Sequence, residues 1–270
     1  MKHWLITGAS RGFGKIWAEA ALKRGDKVAA TARNTDDIAD LVSTYGDAVL
    51  PIQLDVTDRQ ANIDAVQQAH QAFGQLDILV SNAGYGHFGA IEEITEAEAR
   101  QQLDTNLFGS LWLIQAALPI MREQGSGHII QVSSVGGVAA FASLGMYHAS
   151  KWGIEAICES LSQEVADFGI HVTLIEPGGF DTDWRGDSAK RSQPIAAYDP
   201  IREKRAQMMK NTTQGNPEAT AAALMKVVDA EKPPLRIFFG SMPLKIVEPT
   251  YQKRLDTWRE WNAVSEEAQG

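Results

Sequence analysis

A chain of 270 residues that is 44% apolar and 22% charged has the balance of a folded globular protein, and its single cysteine, Cys158, excludes an internal disulfide and a cysteine-rich zinc site. A net charge of −9, with no basic block to offset it, argues against a nucleic-acid partner. No apolar run approaches the ~18 residues of a membrane span, and Met1-Lys2-His3 leads into a strand without a signal-peptide pattern, so a cytoplasmic protein is expected.

Trp4-Leu5-Ile6 reads as the first strand. Thr7-Gly8-Ala9-Ser10-Arg11-Gly12-Phe13-Gly14 follows, then a helical pattern through Ala18, Ala21 and Leu22 that stops at Gly25. Strand, glycine-rich turn and helix in that order make a phosphate cradle, because backbone N–H groups and the helix dipole face the anion. The spacing is Gly-x-x-x-Gly-x-Gly, not the commoner Gly-x-Gly-x-x-Gly. Lys27 to Ala32 is the second strand, and Arg33 stands just beyond it, where NAD-binding folds carry an acid for the ribose 2′-hydroxyl. A guanidinium there suits a 2′-phosphate, and Arg11 in the loop supplies a second cation close by.

Val49 to Leu54 reads as a strand at the sheet edge, since Pro51 cannot donate to a ladder. Thr57 with Gln60 points to a capping box for a helix running to Phe73-Gly74. Asp77 to Val80 is the fourth strand, ending in Ser81-Asn82-Ala83-Gly84, whose glycine lets the backbone pass close to a ligand. Thr95 and Glu98 form a second capping box, opening a long helix through Leu103, Leu107, Leu111 and Ile114 toward Pro119. Asn106 lies inside it, where an asparagine ordinarily points to solvent. Ile129 to Val132 is the fifth strand and ends at two adjacent serines, Ser133 and Ser134.

Thirteen residues beyond Ser134 comes Tyr147-His148-Ala149-Ser150-Lys151. Tyr147 and Lys151 are four apart, so on a helix they share one face. An ammonium beside a phenol favours phenolate, which equips the tyrosine for acid–base work near neutral pH. His148 projects about 100° away from Tyr147 and is read as packing. Trp152, Ile154, Ile157, Leu161 and Val165 give a helix from Ala149 to Phe168, ended by Gly169. Val172 to Ile175 is the sixth strand, followed by Glu176-Pro177-Gly178-Gly179-Phe180-Asp181-Thr182. From Asp183 to Gly215 the chain is polar and irregular, apart from an amphipathic piece around Ile201 to Met209, and reads as a lid or binding loop. Asn216 and Pro217 start a helix through Leu224, Val227 and Val228. Arg236 to Phe239 is a final strand, and 244–270 is a helical tail carrying Trp258 and Trp261.

Together, Tyr147-x-x-x-Lys151, Ser134, Asn106 and the glycine loop at Gly8 resemble the short-chain dehydrogenase/reductase family from about Leu5 to Gly240. The whole looks closest to its steroid- and retinol-dehydrogenase-like members. The alternation of strands and helices argues a single α/β domain over 1–270, a doubly wound, Rossmann-type parallel sheet of about seven strands with helices on both faces. Every motif falls just after a strand, at the sheet edge where open α/β folds bind ligands.

The resemblance selects Ser134 over Ser133 by its offset to Tyr147. It makes Tyr147, Lys151, Ser134 and Asn106 a catalytic tetrad, with Asn106 ordering a water that leads to Lys151. It sets a nicotinamide cofactor against the loop residues Gly8, Ser10, Arg11, Gly12, Phe13 and Gly14, with Arg33 at the 2′ position and Asp55 and Val56 at the adenine. Asn82, Ala83 and Gly84 run alongside, and Lys151 holds the nicotinamide ribose beside Tyr147. The Pro177-Gly178 turn, Phe180 and Thr182 meet the carboxamide. Ser81 stands where the family commonly has asparagine. The implied cofactor is NADP(H), with NAD(H) as the alternative and no metal. The implied activity is hydride transfer to or from a carbonyl/alcohol substrate of apolar character, in a homodimer or homotetramer. Tyr85, Phe88, Phe141, Phe180 and Trp184 are candidates for the substrate pocket. An NADP(H)-binding regulator without turnover is the competing reading, and the complete tetrad speaks against it.

Overall fold

Strands whose side chains alternate between two apolar layers build the centre of the molecule. In β1 (His3–Ile6), Trp4 and Ile6 enter one layer and Leu5 the other, all fully buried, as the two-residue period of a strand requires. The computed structural model describes residues 1–270 apart from Asp187 and Asn211; at 208–210 it describes the backbone only. The strands after β1 are β2 (Lys27–Ala32), β3 (Val49–Gln53), β4 (Ile78–Ser81) and the two-residue β5 (His87–Phe88). Then come β6 (Gly127–Val132), β7 (Ile170–Pro177), β8 (Lys190–Arg191) and β9 (Arg236–Phe239). Seven of them pair in parallel in the order β3-β2-β1-β4-β6-β7-β9, while β5 and β8 form a separate parallel pair. The order reverses between β1 and β4, which opens a crevice at their carboxyl ends.

Helices cover both faces. α1 (Gly12–Lys23) and α2 (Ala39–Tyr45) lie with Trp4 and Ile6 on one side. α3 (Arg59–Phe73), α4 (Glu96–Leu103), α5 (Gly109–Gln124) and α6 (Gly145–Glu164) follow in the chain, and α3, α5 and α6 pack on the Leu5 side. The remaining helices are α7 (Asp199–Lys210), α8 (Ala219–Val228), α9 (Pro243–Glu260) and α10 (Asn262–Glu267). Trp17 Nε1 donates to Thr220 Oγ1 at 2.8 Å and so ties α1 to α8. Among the described residues, no helix is long and apolar enough to cross a membrane.

Several local expectations are corrected. Asp58, not Thr57, caps α3: its carboxylate accepts from the backbone N–H groups of Gln60 and Ala61, and a charged acceptor outcompetes a hydroxyl. The Thr95–Glu98 box forms as read. The long helix beyond it is three pieces, α4, a π-helical turn at Asp104–Phe108, and α5, which runs past Pro119 to Gln124. α6 begins at Gly145 and ends at Glu164, with Phe168 in a separate short turn. The segment 183–215 is more ordered than its polarity suggested, containing β8 and α7; Asp187, Asn211 and the Met209 side chain fall outside the described residues. Pro51 does lie in the edge strand β3.

His128 stands where β6 meets β7, with Nε2 2.9 Å from Thr173 Oγ1. Burial, helped by the charges of His171 and Lys2, pushes its pKa down to about 3 from an ordinary 6.5. The folded ring therefore stays neutral in a range where the unfolded one takes a proton. Its contribution to stability is full above about pH 6.5 and is lost as pH falls toward about 3. Glu176, raised by burial and by Glu155, has the opposite slope. Comparing wild type with His128→Asn isolates the histidine. Urea unfolding should show wild type losing roughly 2 kcal/mol more than the variant between about pH 6.5 and pH 5, at ~1.4 kcal/mol per pKa unit. Equal slopes for the two proteins refute the assignment.

Candidate active site

The glycine loop joins β1 to α1 in a turn that backbone geometry dictates. Gly8 and Gly12 have φ of +67° and +55°, and a Cβ on Gly14 would lie 2.2 Å from Gly8 O. Asn82, at the end of β4, holds the loop by donating from Nδ2 to Thr7 O at 2.9 Å and Gly8 O at 3.2 Å. Thr7 Oγ1 in turn accepts from the N–H groups of Asn82 and Ala83. No side chain caps α1, so its first-turn N–H groups remain open to an anion. This open cradle, with space for only hydrogen at Gly14, fits a phosphate-bearing cofactor.

A cleft of about 1420 Å³ runs from this loop across the sheet edge. Every residue expected at the cofactor or the chemistry lines it except Gly14 and Asn106, which lie behind the lining. Of the aromatic candidates, Tyr85, Phe141, Phe180 and Trp184 line it, whereas Phe88 sits behind Trp184 with ring centres 5.5 Å apart. Phe180 packs edge-on against Phe13 of the loop at 5.2 Å. Arg33 is exposed on the cleft and makes no ion pair among the described residues; Asp36 and Asp37 lie off the lining. Arg11 Nη1 is 3.0 Å from Asp183 Oδ2.

The tetrad candidates converge from three places: α6, the segment after β6 and the π turn. Tyr147 and Lys151 lie one turn apart on α6, both buried, with Lys151 Nζ 6.0 Å from the tyrosine ring centre. Lys151 Nζ donates to Val132 O at 2.8 Å, and Ser134 Oγ accepts from Gly136 N at 2.9 Å, close enough to Tyr147 to lower its phenol pKa. Ser133 turns the other way: its buried hydroxyl finds no partner and lies against Gly137 and Glu155. Asn106, in the π turn, is fully buried instead of solvent-facing. Its Nδ2 donates to Tyr85 O at 2.9 Å and Ser150 Oγ at 3.2 Å, and its Oδ1 accepts from Tyr85 N at 3.1 Å. This pins Gly84 and Tyr85 beside Lys151.

The electrostatics correct one expectation. Burial pushes the Tyr147 phenol up to about 12, with the Ser134 bond only partly opposing it. Burial also brings Lys151 down to about 8, against the charge of Glu155. Desolvation decides the phenol, so the tyrosine is held protonated at neutral pH. His148 serves the fold: Nδ1 is 2.8 Å from Gly136 O, while Nε2 accepts from Phe141 N at 2.9 Å. Arg185, Lys190, Lys204 and Arg205 also line the cleft and belong to no motif. The one sequence signal for them was the long polar segment that contains all four.

Residues 2–193 match the family model for short chain dehydrogenases, and the chain belongs to that family. It is 40% identical over 243 residues to the oxidoreductase BOA17 of Botryotinia fuckeliana, covering 88% of this chain and 89% of that one. A short-chain dehydrogenase from Streptomyces avermitilis superposes with a TM-score of 0.93 at 39% identity, covering 99% and 100% of the two chains. An alcohol dehydrogenase from the archaeon Thermococcus sibiricus, complexed with 5-hydroxy-NADP, superposes at 0.72 with 27% identity over 88% and 96%.

The two loop glycines separate space from backbone strain. Gly14→Ala forces a methyl into the Gly8 carbonyl and Asn82, whereas Gly12→Ala meets open space and bears only its positive φ. We expect Gly12→Ala to cost ~1–2 kcal/mol in thermal or urea unfolding. Gly14→Ala should displace the loop and weaken nicotinamide-cofactor binding, measured by calorimetry, by at least ~10-fold more than Gly12→Ala. Equal affinities in the two variants would contradict the cradle geometry.

Proposed function

We propose that this chain is an NADP(H)-dependent oxidoreductase acting on a carbonyl/alcohol pair, with Tyr147 as general acid and base. One observation carries this reading: Ser134, Tyr147 and Lys151 line the same cleft as the glycine loop. The bound nicotinamide supplies or accepts the hydride. Tyr147, kept protonated by burial, gives its proton to the carbonyl oxygen of a substrate being reduced and takes it back from an alcohol being oxidised. Ser134 donates a hydrogen bond to that oxygen as charge develops on it. The Lys151 ammonium offsets the charge left on the phenolate and relays a proton outward, where Asn106 fixes the Gly84–Tyr85 backbone. Gly8, Ser10, Gly12, Phe13, Asp55, Val56, Ala83, Pro177, Gly178 and Thr182 are the remaining cofactor contacts in this reading. The alcohol dehydrogenase with its NADP derivative supports both the reaction class and the cofactor. A binding protein without turnover has no need of the Ser134–Tyr147–Lys151 arrangement.

Two sets of measurements test the reading. In Tyr147→Phe, turnover should fall by at least ~10²-fold while the fold and cofactor affinity survive. Ser134→Ala should lose turnover, and Ser133→Ala much less, because the Ser133 hydroxyl points away from Tyr147. Near-normal turnover in a folded Tyr147→Phe variant removes the tyrosine from the mechanism. For the cofactor, one guanidinium–phosphate contact is worth roughly 1.5–3 kcal/mol. That converts to about 10- to 150-fold in kcat/KM for NADPH over NADH, at ~1.4 kcal/mol per tenfold. Arg33→Asp should reverse the preference. A wild-type ratio at or below one rejects NADP(H) as the preferred cofactor.

A further inference from the structure

The cleft holds more positive charge than the proposed cofactor uses. Arg11, Arg33 and Lys151 belong to parts already assigned, which leaves Arg185, Lys190, Lys204 and Arg205 in a chain whose net charge is −9. Among the described residues two acidic side chains line the cleft, Asp55, which accepts from Thr57, and Asp183, which pairs with Arg11. Neither Arg185 nor Arg205 has a carboxylate partner among the described residues.

Their placement relative to the reacting hydroxyls follows from ring contacts. The Trp184 ring lies 5.0 Å from that of Tyr147, and Phe88 packs behind Trp184 at 5.5 Å. The Arg205 guanidinium sits over the other side of that contact, 5.1 Å from the Phe88 ring centre, and its Nη1 donates to Ala142 O at 2.9 Å. Arg185 directly follows Trp184 in the chain. Burial lowers both guanidinium pKa values, Arg205 to about 10, where the like charge of Arg185 is a second cause. Holding two like charges together, partly out of water, costs stability that an anion between them offsets. Trp184, which touches the Tyr147 ring, and Phe141 and Ile201 add apolar wall to the same cleft.

We infer that this end of the cleft is an anion subsite, so that the substrate is an oxo or hydroxy compound with an apolar middle and a terminal carboxylate, sulfonate or phosphate held by Arg205 and Arg185. The guanidinium fork matches any of these three groups in bidentate fashion. Lys190 and Lys204, both exposed, add charge at the rim. The carbonyl half of the inference rests on the proposed oxidoreductase reading; the anion half does not.

The test uses ligands that have no ketone. Octanoate, octane-1-sulfonate and octyl phosphate are titrated by calorimetry into the full-length protein saturated with NADP⁺, with octan-1-ol as the neutral control. At least one anion should bind ~10-fold or more tightly than octanol, the scale of one charge-assisted contact. That preference should fall to near one in the Arg185→Gln/Arg205→Gln double variant. It should persist in Arg100→Gln, which changes an exposed arginine outside the cleft. An anion-to-octanol ratio near one in wild type overturns the inference, and this result needs no substitution. A ratio that the folded double variant leaves unchanged does the same. Anion binding seen only without NADP⁺ also overturns it, by assigning these cations to the cofactor phosphates. Oxo-carboxylates and their methyl esters, followed by NADPH oxidation, separate the two readings. Turnover of acid and ester at equal kcat/KM sinks the anionic substrate, whereas anion binding with no oxidation by any ketone sinks the redox reading and leaves the subsite standing.

Discussion

An ammonium kept out of water organises this site. Lys151 is buried, and its Nζ donates to the carbonyl of Val132, the last residue of β6. Such a charge is costly unless the surroundings hold it in place. The α6 helix does so with a row of side chains one turn apart: Tyr147, Lys151 and Glu155. Acid, cation and counter-charge therefore share one face of one helix. Glu155 is itself fixed from the far edge of the sheet, where Arg236 Nε reaches it at 2.9 Å and Nη2 reaches Glu159 at the same distance. The last strand of the fold thus bears on the middle of α6, although no residue of β9 lines the cleft.

What the sequence disclosed and what it withheld divide along a physical line. The glycine loop, the parallel strands and the edge position of Pro51 were readable because they express local demands: a positive φ, a missing N–H, a period of two. The choice between Ser133 and Ser134 needed the family offset, because two adjacent serines after one strand look alike in a linear pattern. Competition between neighbours was not readable. Asp58 caps α3 in place of Thr57, and desolvation decides the protonation of Tyr147. Both outcomes depend on burial, which a linear pattern does not carry. The cations of α7 were hidden for a different reason: Arg205 meets Phe88, a residue distant in the chain, only once the protein has folded.

Charge is distributed against the average. The body is acidic overall, while the cleft walls carry mainly arginine and lysine. Apolar, low-dielectric walls concentrate the field of such a groove, so an anionic ligand meets attraction chiefly at the opening. The negative remainder of the surface makes non-specific capture of polyanions unfavourable. One chain thereby combines selectivity for small anions with repulsion of large ones.

The π turn at Asp104–Phe108 has a consequence of its own. A π turn holds one more residue than the α-helical turn it replaces, so it shifts the phase of everything beyond it by about 100°. Upstream, Gln102 is buried and donates to Tyr85 O; downstream, Leu113, Ile114 and Ala117 fill the core; the shift lets both stretches face inward with Asn106 between them. Loss of a single codon in this stretch would restore a regular helix and rotate Asn106 off the Tyr85 backbone, although every side chain of the tetrad would still be present. Part of this site is thus written in the length of the chain as well as in its letters, and insertions or deletions here act on chemistry as directly as substitutions.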